Sequence, residues 1–292
     1  MTEGEIPMPR NFMELLEARW VLDKYVCVGL DSDLKKIPKS EVVLTPAGHV
    51  NASATIFRFN QAIVRETAEY VCAYKPNLAF YLAQGIEGLT ALEWTVQYIK
   101  EVAPDIPVIL DPKWGDIGNT NNGYLEYAFE VLGVDAITVQ PYLGEVSLRP
   151  FLERSDKGIF VLARTSNPGA GELQDIYTGS PGDEADEPLY KIVARHVSRT
   201  WNKAGNCGLV FGATYPDELR GIRIEIDLQQ LPLLLPGIGA QGGDVEKTVR
   251  AAKSRFIVNS SRGIIFASKD RDFASVARTK VIELNDEIVR YL

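Results

Sequence analysis

The sequence predicts an α/β fold, a single (β/α)8 TIM barrel with extended loops at the C-terminal mouth. Three observations carry this. Eight short apolar runs recur along the chain. A segment of helical character follows each one. Charged and glycine-rich residues collect where the runs end. Strands buried on both faces read as continuous apolar stretches, and regular strand–helix alternation builds a parallel sheet. A doubly wound open sheet obeys the same alternation, but eight repeats exceed what that fold usually needs.

The runs are "YVCVGLD" (25–31), "VCAYKPN" (71–77), "PVILDPK" (107–113), "DAITVQP" (135–141), "GIFVLAR" (158–164), "CGLVFGA" (207–213), "LPLLLPG" (231–237) and "RFIVNSS" (255–261). Helices are predicted over 56–70, 87–101, 120–132, 144–153, 185–203, 215–221, 243–253 and 270–291. In the last of these, Phe273, Val276, Ala277, Val281, Leu284 and Ile288 repeat with helical period. Two stretches exceed a minimal barrel: 32–53, long and mixed, and 167–186, rich in glycine and acid. Both follow strands, so both are read as loops over the mouth, where barrel sites are built. No boundary or internal repeat divides the chain, so residues 1–292 read as one catalytic domain.

Composition narrows the function. With 46% hydrophobic and 24% charged residues, the chain has the make-up of an ordinary globular protein. Its net charge of −8, without a Lys/Arg run, argues against a general nucleic-acid binder. Cys27, Cys72 and Cys207 are odd in number, far apart and set in apolar segments, which suggests buried thiols in a reducing compartment. His49 and His196 have no ligand-like spacing, so neither a zinc site nor a histidine-based triad is expected. No apolar run reaches the roughly 18 residues a membrane span needs. The polar, acidic start "MTEGEIPMPRNF" does not read as a signal peptide. A cytoplasmic protein without membrane association is expected.

The chemistry concentrates in "VILDPKWGDIGNT", residues 108–120. Charged residues are seldom buried unless paired. Side chains alternate along a strand, which puts Ile109, Asp111 and Lys113 on one side, within a lysine's reach over a span of roughly 7 Å. The same parity aligns Ala73, Lys75 and Asn77, while the first run ends at Asp31. Three adjacent strand ends thus deliver Asp31, Lys75, Asp111 and Lys113 to one rim. A structural ion-pair network accounts for any one of these residues; the set at neighbouring strand ends favours a site.

A second signal is "LPGIGAQGGD" (235–244), with Gly237-x-Gly239-x-x-Gly242 between strand and helix. Alone it resembles a dinucleotide fingerprint. It follows the seventh run, however, and Arg262 stands where the ribose-binding acid would be, so a barrel phosphate site is the better reading. A third and weaker signal is "ARTSNPGAGE" (163–172), where Thr165, Ser166 and Asn167 bring polar groups to the mouth.

Together these stretches resemble the orotidine 5′-monophosphate decarboxylases, in particular the longer bacterial form. The resemblance runs from "CVGLDSD" through "AYKPN", "LDPKWGDIGNT", "ARTSNPGA" and "PGIGAQGGD" to "NSSRGI". Its most specific element, Asp-x-Lys-x-x-Asp followed by Ile and Thr, is complete as Asp111, Lys113, Asp116, Ile117 and Thr120. The resemblance implies decarboxylation of orotidine 5′-monophosphate (OMP) to UMP in pyrimidine synthesis, with no metal and no cofactor. Lys113 would protonate C6 and Asp111 would sit by the departing carboxylate. Lys75 would continue an alternating Lys–Asp chain that Asp116 completes from the second subunit of a homodimer, with Ile117 and Thr120 crossing the same interface. Asp31 would bind ribose hydroxyls, and Thr165 and Ser166 would read the pyrimidine. Gln241 would bridge base and phosphate, and Arg262 would hold the phosphate. Asn77, Pro236 and Ser261 would also line the substrate. Ser261 departs from the family, in which glycine is expected.

Two rival readings remain. A magnesium-dependent 3-keto-gulonate-phosphate decarboxylase or hexulose-phosphate synthase shares the Asp-x-Lys-x-x-Asp element but carries an acid on strand 2, where Lys75 would repel the metal. A non-catalytic pyrimidine-nucleotide-binding barrel would not need an acid beside an anionic group.

Overall fold

Each apolar run of the sequence becomes a strand in the computed structural model, which describes residues 10–179, 186–226, 228, 230–239 and 242–292. In chain order the elements are α1 (Phe12–Val21), β1 (Val26–Leu30), α2 (Ala52–Thr67), β2 (Ala73–Pro76), α3 (Leu78–Leu82), α4 (Gly85–Val102), β3 (Ile109–Trp114), α5 (Gly118–Leu125), β4 (Ala136–Val139) and α6 (Gly144–Leu152). There follow β5 (Gly158–Arg164), α7 (Gly171–Gln174), α8 (Leu189–His196), β6 (Cys207–Phe211), α9 (Pro216–Glu225), β7 (Leu233–Pro236), α10 (Val245–Ala252), β8 (Phe256–Ser260), α11 (Arg262–Ile265) and α12 (Phe273–Arg290). The strands are parallel in the order β2-β1-β8-β7-β6-β5-β4-β3. Two single bridges, Tyr74–Val108 and Asn77–Asp111, close β2 onto β3. The fold is a TIM barrel. Among the described residues no helix is long and apolar enough to cross a membrane.

The main core lies between barrel and helices, where Val28, Leu30, Val108 and Leu110 meet Ile56, Phe59, Leu92 and Val96. A second cluster fills the barrel's interior: Cys27, Ala73, Ile109, Phe160 and Ile257, with Phe12 and Leu16 of α1 beneath them. Sequence periodicity does not single out α1, because its apolar residues are spread round the helix and not along one face. It acts as a plug. Phe12 meets Phe160 edge to face at 5.6 Å, and a Cβ at Gly158 would collide with the Phe12 ring. Asn11 caps the helix through its side chain, and Arg10 pairs with buried Asp135 at 2.8 Å. With its bottom sealed, the barrel can open only at the C-terminal mouth.

All three cysteines are buried and free. Burial pushes the Cys27 and Cys207 thiols up to about 12, which disfavours the thiolate that a nucleophile requires.

Candidate active site

A cavity of about 430 Å³ opens at the C-terminal ends of the strands. Its floor is the charged group on β2 and β3. Lys75 Nζ donates to Asp111 Oδ2 at 2.8 Å, and Lys113 Nζ donates to Asp111 Oδ1 at 2.7 Å. Lys75 is 4% exposed and Asp111 8%, whereas the Lys113 side chain is 47% exposed. Lys113 is therefore the ammonium that a ligand can reach. Burial opposes charge on both inner groups, but their mutual attraction wins. Lys75, then Lys113, hold the Asp111 carboxyl well below the usual carboxylate range despite its desolvation. Asp111 and Asp31 likewise hold the Lys75 ammonium above the usual lysine range despite its burial.

Simple strand alternation does not deliver Lys113 to this place. The β3–β4 register shifts between Leu110 and Trp114, and Lys113 has φ of +55°, a left-handed conformation uncommon for a residue with a side chain. The bulge re-aims Lys113, and Thr138 on β4 secures it. The Thr138 hydroxyl accepts from Lys113 N at 3.0 Å and donates to Asp111 Oδ1 at 2.7 Å. Nothing in "DAITVQP", which reads as a plain strand, points to this role.

Asp31 follows β1, whose end a buried polar network holds in place. Tyr81 donates to the Leu30 carbonyl at 3.1 Å, and Asn60 joins Tyr81 to Ser32 and Thr95. Three buried oxygens of this cavity, Asp31 Oδ1, Asn259 Oδ1 and Ser261 Oγ, have no hydrogen-bond partner. Such groups are costly unless a ligand satisfies them. Asn77, Pro236 and Arg262 also line the cavity. Gly237 (φ +108°) allows the sharp turn after β7. Gln241 lies outside the described residues.

Thr165 and Ser166 reach the cavity too, fixed by a residue not anticipated from the sequence. Gln174 accepts from Thr165 N and donates to Thr165 Oγ1, both at 2.9 Å, while also accepting from Arg164 Nη1 at 3.2 Å. Arg164 in turn pairs with Asp175 at 2.8 Å and stacks on Tyr215. The first part of the 167–186 insertion therefore folds onto the site, although 180–185 lie outside the described residues. The 32–53 insertion does not cover the site as expected. None of its residues lines the cavity; it packs on α2, with Val43 bonded to Thr55 and Glu41 paired with Arg58.

Asp116, Ile117 and Thr120 stay outside the cavity of their own chain. Asn121 pins the Asp116 backbone through both its N–H (3.0 Å) and its carbonyl (2.7 Å). Ile117 is 63% exposed, and the neighbouring β4–α6 turn and helix expose Tyr142 and Val146 at 84% and 71%.

Known proteins resemble both the sequence and this architecture. The family model described as "Orotidine 5'-phosphate decarboxylase / HUMPS family" matches residues 24–275. An orotidine 5′-phosphate decarboxylase of Thermomicrobium roseum is 48% identical over 270 residues, 91% of this chain and 90% of its own length. That of Cupriavidus necator is 44% identical over 286 residues, 96% of this chain and 98% of its own. Among solved structures, the OMP decarboxylase of Leishmania donovani superposes with a TM-score of 0.77 at 34% identity, covering 96% of this chain and 99% of its own. With a match over most of the chain and relatives this similar, the chain belongs to the orotidine 5′-phosphate decarboxylase / HUMPS family, and within it to the carboxy-lyases that decarboxylate OMP.

Proposed function

We propose that the chain converts OMP to UMP without metal or cofactor, and that Lys113 protonates the C6 carbanion left when carbon dioxide departs. The observation that carries this reading is the Asp111 carboxylate, desolvated between two ammonium groups with the exposed one facing the cavity. Loss of the carboxyl group leaves an electron pair in an sp² orbital that no ring carbonyl can delocalise. The charge must be met where it forms, by a cation already in position. Lys113 meets that need, since Asp111 and Thr138 fix both its ammonium and its backbone. Reactions this slow without a catalyst ask for on the order of 20 kcal/mol, more than one ammonium supplies. Binding of the remote phosphate by Arg262, Ser261 and the turn at Gly237, with Gln241 bridging to the base, helps to align the ring.

In this reading Asp31 and Asn259 take ribose hydroxyls, Thr165 and Ser166 read the pyrimidine, and Asn77 and Pro236 flank it. Asp116, Ile117 and Thr120 act across a homodimer interface, a role that fits the apolar exposure of Ile117, Tyr142 and Val146. Residues 1–292 serve as one catalytic domain in the cytoplasm. The Lys75 ammonium beside Asp111 disfavours a magnesium ion at that carboxylate, which weighs against the metal-dependent branch of the family.

The test is a spectrophotometric assay of OMP turnover by protein purified and assayed in EDTA. Undiminished turnover is expected. Activity that appears only on adding magnesium overturns the metal-free reading.

A further inference from the structure

The loops that follow β1 and β8 build a second cavity outside the barrel. Its volume is about 860 Å³, against about 430 Å³ for the reaction cavity. Lys35, Lys36 and Lys39 come from the first loop, Lys269 and Arg271 from the second. Lys36 meets Asp33 at 3.0 Å. Lys35, Lys39, Lys269 and Arg271 form no salt bridge among the described residues. The carboxylates at hand are Asp33, whose charge Lys35 and Lys36 share, Asp270 in the wall and Asp272 beside Arg271, against five cations. In a chain of net charge −8, such a local excess of cations is not a product of average composition.

The floor is apolar: Ile37, Pro38 and Phe266. Phe266 is held by stacking on Phe59 at 5.4 Å, and Phe59 stacks on Phe273 at 5.2 Å. Behind the second wall α12 begins at Phe273; its N-cap is Asp272, whose carboxylate caps no backbone N–H and accepts from Ser268 Oγ at 2.6 Å.

We propose that this groove is a binding site for a nucleoside polyphosphate, separate from the reaction cavity. Cations contributed by two loops suit a chain of phosphates, and a flat base suits a floor with a fixed aromatic ring. The volume lies within the range of roughly 300–1,000 Å³ that small-molecule sites occupy. The protein's overall negative charge disfavours a long nucleic acid, whose phosphates would extend past the groove onto repelling surface. The groove also gives residues 35–40 of the 32–53 insertion, which does not reach the reaction cavity, a place in a site. Its two walls continue outward from the strand ends that carry Asp31 and Arg262.

The experiment is calorimetric titration with UTP of the full chain, its reaction cavity first saturated with UMP. One UTP per chain is expected to bind under these conditions. The double variant Lys39→Ala/Lys269→Ala should weaken it at least tenfold while changing OMP turnover less than twofold. Absence of UTP uptake, displacement of UTP by UMP, or equal affinity in the double variant overturns the proposal. Inorganic tripolyphosphate should bind more weakly than UTP; equal or tighter binding removes the role of the apolar floor. A single-stranded 12-nucleotide DNA that binds more tightly than UTP overturns the small-molecule assignment. The UMP arm rests on the proposed reading of the reaction cavity. The Lys39/Lys269 arm does not, so the failure of one is distinguishable from the failure of the other.

Discussion

Thr138→Val isolates the device that aims the reactive lysine. The change keeps the branched shape and removes the hydroxyl, so little cavity forms. Two hydrogen bonds are lost, one to the Asp111 carboxylate at 2.7 Å and one from the Lys113 N–H at 3.0 Å. A bond to a charged group contributes about 1.5–3 kcal/mol and a neutral one about 0.5–1.5 kcal/mol. Asp111 Oδ1 keeps Lys113 Nζ as a partner, and half-exposed Lys113 lies near water, so the low end of the sum applies, about 2 kcal/mol. In a chain of this length that lowers the apparent melting temperature by roughly 3 °C. The effect on catalysis should be larger. Without its acceptor on β4, the left-handed Lys113 backbone can relax and carry the ammonium away from its aim, and displacements near 1 Å cost about 10²-fold in rate. We expect kcat to fall about 30–100-fold with KM changed less than threefold, and Thr138→Ser to recover most of the loss. The readouts are OMP absorbance kinetics and thermal melting by circular dichroism. A valine variant that melts earlier yet keeps kcat within threefold of the parent shows that the hydroxyl supports the fold alone, and the reasoning fails.

Three further outcomes are expected. Lys75→Met breaks a buried pair and should cost about 3–5 kcal/mol at neutral pH. Asp111, with its lowered pKa, adds stability above the ordinary carboxylate range that is lost as pH falls through its folded value. Lys75, with its raised pKa, adds stability below the ordinary lysine range that is lost as pH climbs through its folded value. Both contributions are full between about pH 5 and pH 9, so the gap between parent and variant in denaturant unfolding should shrink towards pH 3; a constant gap counts against the coupling. Mixing inactive Lys113→Ala with inactive Asp116→Ala should restore partial turnover through hybrid dimers that hold one intact site, and no recovery despite confirmed subunit exchange argues that the site is not shared. Arg262→Ala should raise KM for OMP about 10–150-fold, the value of one charged hydrogen bond, while leaving turnover of phosphate-free orotidine unchanged; an equal loss on both substrates refutes phosphate recognition.

What the sequence revealed follows from how local each signal is. Strands of unbroken apolar residues and long amphipathic helices announce themselves within a few residues, so all eight strands and the eight helices after them were legible. The plug α1 carries Phe12, Met13, Leu15, Leu16, Trp20 and Val21 spread round the helix, so no single face shows a period, although Phe12, Leu16 and Arg19 are the ones buried. Asp111 and Lys113 were legible as a pair, yet strand parity gave the wrong route: a bulge and a left-handed residue place Lys113. Bulges depend on the neighbouring strand, here on Thr138, and leave no mark in their own segment. Gln174 and Arg164 escaped notice for a similar reason, since their partners are set by how the loop folds back.

The charged group also sits where the barrel is least laced. Strand β2 meets β3 through two isolated bridges, one of them Asn77–Asp111, while every other adjacent pair shares a ladder, bulged between β3 and β4 and between β5 and β6. The Lys75–Asp111 ion pair crosses that same seam at 2.8 Å. Buried ion pairs are poor sources of stability, because desolvation of both charges offsets most of their attraction. An apolar pair at 75 and 111 would close the seam at least as well and cost nothing in dehydration. The arrangement is explained by what the pair does to its third member. With Lys75 neutralising one oxygen from below, Asp111 offers the other to Lys113 and can stay ionised in a dry floor without drawing in water. The Lys113 ammonium is thereby positioned at the one edge of the group that faces the cavity. Lys113 itself is 47% exposed, so its charge acts at full strength only once a ligand seated in the cavity displaces that water, while the desolvated pair beneath it keeps the ammonium aimed beforehand.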